Sequence, residues 1–182
     1  MTQQLNPRQI AWRVAQDLPR AAYVQLGCDM ALLVPDYVAN DSGMVFERGL
    51  AGHVPVPGEH RGEYYLLGAR EVAENGDVVV DAPDEHALAH LGTAPSPQVF
   101  IMANYFRQDG RPTLVPECTA APHAAGCATR LYTDIAVIDL HDGKAWLREI
   151  GEGLTLLVLQ AETDVELHVA PDLRLLKAPA LG

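Results

Sequence analysis

Apolar positions recur at helical spacing near the start of the chain and thereafter come in short runs separated by glycine, proline and asparagine. Asn6 stands before Pro7, with Gln9 three positions after the Asn, which is the pattern of a helix cap with a proline at the first turn and a reciprocal side-chain partner. A helix is expected from there to about Leu18, with Ile10, Val14 and Leu18 on its buried face. Residues 22–26 read as an inner strand ending at Gly27, and residues 30–37 as a second helix capped by Asp29 and shortened or kinked by Pro35. A short strand over 43–46 leads to Glu47, and a loop rich in glycine and proline fills 49–62. Further strands are expected at 64–67 and 78–80, then a helix at 84–91 and a strand at 99–102.

The last third is the most regular. Residues 132–140 read as one strand, His141-Asp142-Gly143 as a turn and 144–150 as the returning strand, which makes a hairpin. A short helix at 155–161 and a closing strand at 165–169 before Pro171 complete the pattern. Short apolar strands interleaved with helices predict an α/β fold, with helices packed on a mixed, largely parallel sheet and a C-terminal β-hairpin. No repeat or linker divides the chain, so residues 1–182 are expected to form a single domain.

Charge narrows the partners. A formal net charge of −11 argues against a nucleic-acid or anionic-membrane surface, because polyphosphate binding needs clustered Lys and Arg. No apolar run reaches membrane length, and Met1-Thr2-Gln3-Gln4 does not begin a secretory signal. Three cysteines, Cys28, Cys118 and Cys127, form no C-x-x-C pair and fit reduced thiols, so a cytoplasmic location is expected.

The candidate chemistry centres on the octet Val45-Phe46-Glu47-Arg48-Gly49-Leu50-Ala51-Gly52. A strand holds the Glu47 carboxylate, while Gly49 and Gly52 let backbone N–H groups approach whatever it reacts with. Carboxylate attack on an acyl thioester suits such a residue, provided water is excluded and oxyanions are met by fixed donors. Other features weigh less. His86 and His90 stand four apart on the expected helix without a third ligand, His53 and His60 sit in the loop, and His123 and His168 have no partner by spacing, so no metal is expected. Nor do the cysteines have a base nearby in sequence, and no dinucleotide fingerprint, phosphate loop or G-x-S-x-G elbow occurs.

Taken in order, several segments resemble the B (beta) subunit of the two-subunit 3-oxoacid CoA-transferases. They are Ile10 to Leu18, Val24-Gln25-Leu26-Gly27, Leu33 to Val38, Phe46-Glu47-Arg48-Gly49-Leu50-Ala51-Gly52 against the family's S-E-N-G-x-x-G, Cys118-Thr119, Thr133-Asp134-Ile135-Ala136-Val137 and Ala170-Pro171-Asp172-Leu173. The resemblance implies that Glu47 is the catalytic nucleophile, passing through a glutamyl-CoA thioester, and that Gly27, Gly49 and Gly52 lie at the substrate. It further implies that the partner is an A subunit, joined in a hetero-oligomer, that acyl-CoA and small carboxylic acids are the substrates, and that no cofactor acts beyond coenzyme A, which is itself a substrate.

Three departures stand out. The family's G-I-G-I-P is Gly27-Cys28-Asp29-Met30-Ala31 here, and Arg48 replaces the Asn that follows the nucleophile. Between Gly92 and Ser96 a family segment with a glycine loop near the nucleophile is expected to be missing. Two further readings therefore stand beside an active transferase subunit: a non-catalytic partner that keeps fold and interface, and an acyl-CoA-binding or hydrolysing protein.

Overall fold

The computed structural model describes residues 4–27, 30–48, 63–81 and 96–181. The chain begins with α1 (Pro7–Ala15), capped as the sequence predicts: the Asn6 side chain accepts from the Gln9 N–H, and the Gln9 side chain accepts from the Asn6 N–H. It ends three residues earlier than expected, at Ala15. The strands are β1 (Tyr23–Leu26), β2 (Val45–Arg48), β3 (Glu63–Gly68), β4 (Glu71–Ala73), β5 (Val78–Val79), β6 (Gln98–Met102), β7 (Leu114–Val115), β8 (Arg130–Tyr132), β9 (Ala136–His141), β10 (Lys144–Gly151) and β11 (Leu167–Leu176). A second α-helix, α2 (Leu156–Ala161), has Thr155 as its cap.

Eight strands form one sheet in the order β11-β10-β9-β8-β6-β3-β1-β2, and β5-β4-β7 form a small second sheet. The strands β2, β1, β3, β6 and β8 run parallel, β9 turns back, β10 returns and β11 again lies parallel to β10. This is the mixed, largely parallel sheet expected of the α/β class.

Side-chain alternation divides the core in two. On one face, Tyr65, Leu67, Val99, Ile101, Leu131 and Leu147 pack beneath the small sheet and Leu159 of α2. On the other, Leu66, Phe100, Met102 and Tyr132 pack beneath Ile10 and Val14 of α1 and Val34 of a 3-10 helix (Ala31–Tyr37). Each fully buried Leu, Ile or Phe contributes about 1.5–3 kcal/mol of burial free energy, so both faces hold the sheet. A charged cluster ties α1 to the sheet beyond this core: Arg13 pairs with Glu149 and Asp17, and Asp17 also meets Arg130 and the Tyr132 hydroxyl. Arg130 in turn pairs with Asp139.

Several expectations are corrected. The segment 30–37 is a 3-10 helix rather than an α-helix, since Pro35 cannot donate the bond that an α-turn needs. Residues 132–140 form two strands, because Thr133 reverses the chain: its hydroxyl donates to the Ala136 carbonyl at 2.8 Å and accepts from the Ala136 N–H at 2.9 Å. The closing strand runs past Pro171 to Leu176, which an edge strand tolerates, and its pairing is irregular between Val169 and Arg174. The hairpin turn has positive φ at both Asp142 and Gly143, the geometry that suits a two-residue connection. The expected loop at 49–62, helix at 84–91 and cap Asp29 lie outside the described residues.

Candidate functional site

Because β2, β1, β3 and β6 are parallel, their carboxyl ends share one edge of the sheet, where ligands of open α/β sheets bind. That edge carries Glu47 and Arg48 from β2, Gly27 after β1, Ala69 and Arg70 after β3, and Ala103 and Asn104 after β6. Glu47 is the third residue of β2, not the residue after it, so the strand itself fixes its carboxylate. Its cross-strand partner is Gln25, which in turn pairs with Tyr65. Phe46 packs into the core beneath α1, so Glu47 alternates to the opposite face together with Gln25 and Tyr65. The Glu47 side chain is half-buried and the Gln25 side chain is buried.

Gly27 donates its N–H to the Leu66 carbonyl at 2.8 Å. A Cβ there would lie 2.5 Å from Leu67 Cδ2 and 3.3 Å from the Leu66 oxygen, so a larger residue would have to displace the Leu67 side chain and crowd the β3 backbone. Gly49 and Gly52 lie outside the described residues, as do Cys28, His53, His60, His86, His90 and the junction at residues 92–95.

A cavity of about 400 Å³ opens at the ends of β3 and β6, on the face to which Glu47 points. Ala69, Ala103 and Phe106 give it apolar walls, while Arg70, Asp81, Asn104, Arg107 and Asp109 supply polar groups. Arg107 is committed elsewhere: its guanidinium donates to Glu71 at 2.7 Å and lies 3.5 Å from Asp109. Glu71 is buried and also accepts from the Thr119 N–H and hydroxyl, both at 2.7 Å. Burial alone pushes the Glu71 carboxyl upward, but the hydrogen bonds from Thr119 and Arg107 outweigh it and hold the group below its ordinary value. Among the described residues, Arg13, Arg20, Arg107, Arg111, Arg130, Arg148 and Arg174 pair with carboxylates. Arg70 and Arg48 have no carboxylate partner among the described residues, and both sit at the carboxyl edge.

Of the residues set aside in the sequence, the described ones form no rival centre. Among the described residues no three His, Cys, Asp or Glu side chains come together as metal ligands would. His123 accepts the Val80 N–H through Nδ1, and His168 packs against Trp146, which stacks on His141. Burial raises both Cys118 and Cys127, the latter to about 11, which suppresses the thiolate form that nucleophilic work requires. Sequence reasoning misses Arg70, Asn104 and the Glu71–Arg107–Thr119 cluster, because three separate loops bring them together and no local spacing marks them.

Known proteins with similar sequences share this fold. No protein-family profile matches the chain. The beta-type (B) chain of the 3-oxoadipate CoA-transferase of Acinetobacter baylyi is 29% identical over 208 aligned positions, covering 90% of this chain and 95% of that protein. The beta subunit of the acetate CoA-transferase of Escherichia coli K12 is 26% identical, covering 91% and 95% respectively. Among solved structures, the acyl-CoA transferase YdiF of Escherichia coli O157:H7 superposes with a TM-score of 0.73 at 14% identity, covering 97% of this chain and 45% of that longer one. The fold is therefore that of the α/β CoA-transferases. Within that class the chain is a divergent relative of the B (beta) subunits, as its sequence resemblance implied. It is also a shortened one: 208 aligned positions exceed its 182 residues, so the relative carries segments that this chain lacks.

Proposed function

We propose that the chain is the B (beta) subunit of a cytoplasmic CoA-transferase that moves CoA between an acyl-CoA, such as succinyl-CoA or acetyl-CoA, and a 3-oxo acid. The observation that carries the reading is the position of Glu47: a half-buried carboxylate fixed inside a parallel strand, at the carboxyl edge of a CoA-transferase fold. In the first half-reaction the Glu47 carboxylate attacks the thioester carbonyl, expels CoA thiolate and forms a mixed anhydride. The thiolate then attacks the glutamyl carbonyl, releasing the free acid and leaving Glu47 as the CoA thioester. In the second half the acceptor carboxylate displaces the thiolate from that thioester, and the thiolate takes the acyl group from the new anhydride, returning Glu47 as a carboxylate. Coenzyme A enters and leaves as substrate, and the steps balance without another cofactor.

Gln25 lies beside Glu47 across the β1–β2 pair and supplies an amide within the same row. Backbone donors of Gly49 and Gly52 are assigned to the tetrahedral oxyanions, with Gly27 lining the substrate side. An A subunit completes the site, in line with the names of both sequence relatives, each of which is one subunit of its enzyme.

The test incubates the chain and its A subunit with acetoacetyl-CoA and looks by intact mass for a borohydride-sensitive adduct. An adduct on Glu47 that is lost in Glu47→Ala is the expected result. Tight binding to the A subunit with no adduct would identify a non-catalytic partner, and CoA release without an acceptor acid would identify a hydrolase; either would overturn the proposal.

A further inference from the structure

We infer that Arg70 anchors the remote carboxylate of a dicarboxylic acyl substrate in the cavity at the ends of β3 and β6. The inference rests on the acyl-transfer reading of Glu47 and adds which acids that site accepts. Its starting point is the uneven use of the cavity's two arginines. Arg107 is neutralised from behind by the buried Glu71, whereas Arg70 lines the cavity with no carboxylate or side-chain hydrogen-bond partner among the described residues. Its backbone is nonetheless fixed, since the Arg70 N–H donates to the Val79 carbonyl at 2.8 Å. An exposed cation on a pinned backbone, in a chain of net charge −11, is a ready receptor for an incoming anion.

Charge selects the kind of anion. One free guanidinium matches one carboxylate, and the Asp81 carboxylate on the same walls opposes a phosphate or diphosphate, with its greater charge, more strongly. The apolar surface of Ala69, Ala103 and Phe106 suits a short aliphatic chain, and the Asn104 amide at the end of β6 suits a carbonyl along it.

Distance decides which end of the substrate Arg70 holds. Glu47 and the cavity share one face, but β2 and β3 are two strand spacings apart, about 10 Å. Arg70 also stands five residues beyond Tyr65, the residue in the row of Glu47. From strands two places apart, Glu47 and Arg70 approach different parts of a bound acyl chain. Glu47 takes the carboxyl that reacts, and Arg70 is assigned the one at the far end.

The experiment compares succinyl-CoA with butyryl-CoA as donors for the assembled A and B subunits, since the two differ by a terminal carboxylate in place of a methyl. Arg70→Gln is expected to raise KM for succinyl-CoA about tenfold or more while leaving butyryl-CoA within about twofold, the loss of one charge-assisted contact. Arg70→Lys should recover part of the preference, and Asp81→Asn should lower KM for succinyl-CoA. A parallel titration of the chain with succinate and butyrate reads the anchor without turnover. An equal loss for both donors would mean that Arg70 recognises the CoA moiety and would overturn the inference, as would unchanged selectivity in a protein that still forms the Glu47 adduct. If no adduct forms but succinate binds in an Arg70-dependent way, the anchor stands and the transferase reading falls.

Discussion

The Arg13 guanidinium in α1 donates to both oxygens of Glu149 in β10, Nε at 2.8 Å and Nη2 at 2.5 Å, across 136 residues of sequence. Both side chains are buried, and Arg174 in β11 donates to the same carboxylate at 2.6 and 2.8 Å. Removing either partner leaves the other with one ion pair fewer: Glu149 keeps Arg174, and Arg13 keeps Asp17. Arg13→Ala and Glu149→Ala are each expected to cost about 1.5–3 kcal/mol, the loss of charge-assisted hydrogen bonds, and the combined Arg13→Met and Glu149→Leu protein should lose less than the sum of the two. Urea unfolding of the single and double variants measures the difference.

Acid stability should report Glu71. Its folded-state carboxyl lies below the ordinary 4.5, so the stabilisation is complete above that value and is lost as pH falls through the depressed folded value. Asp17, lowered from 3.8 by Arg13, Tyr132 and Arg130 against the opposing effect of burial, adds to the same acid-side slope. In Glu71→Gln the slope below pH 4.5 should flatten, and stability at neutral pH should drop by about 1–3 kcal/mol as Arg107 loses its charged acceptor. Melting temperature against pH tests both parts.

The alkaline limb belongs to tyrosines. Burial pushes Tyr105 up to about 12 despite its hydrogen bond with Thr163, and burial with the nearby Asp17 carboxylate pushes Tyr132 well above 10. Their neutral forms therefore stabilise the fold up to pH 10, and that contribution is lost as pH rises through the folded values. In a spectrophotometric titration the phenolates of Tyr105 and Tyr132 should appear only with unfolding; early, reversible ionisation of all six tyrosines would contradict this.

Two glycines should fail for different reasons. Gly143→Ala meets open space but must hold φ near +66°, so the cost is backbone strain of about 1–2 kcal/mol. Gly27→Ala instead drives a methyl against Leu67, which is buried, and against the Leu66 carbonyl. It should cost at least as much, and also disturb β3 just before the cavity; denaturant midpoints rank the two.

Local chemistry is legible in the sequence where a signal is complete within a few residues. The Asn6-Pro7-Gln9 cap, the Asp142-Gly143 turn, the helix after Thr155 and the returning strand of the hairpin appear as expected. What escapes depends on partners distant in sequence or on a hydrogen bond that no spacing announces. Residues 132–140 read as one strand because the Thr133 hydroxyl looks like any β-former until it closes on Ala136. β4 and β7 are three and two residues long and exist through each other, and Arg70 becomes a candidate only when three loops surround it. Glu47 reads as one step outside its strand, since the glycine after Arg48 suggests a turn that begins sooner.

The polar ties of the first helix reach residues far along the chain. Leu5 donates its N–H to the Asp134 carbonyl, Arg13 reaches Glu149, the Gln9 side chain donates to the Pro179 carbonyl, and the Asn6 amide donates to the Leu181 carbonyl. The apolar face of α1 meets Val24, Val34 and Leu66 soon after it in the chain, whereas these polar ties await residues more than a hundred positions later. Chains that stop before Lys177 should therefore hold α1 less firmly against protease than chains that include Pro179 and Leu181.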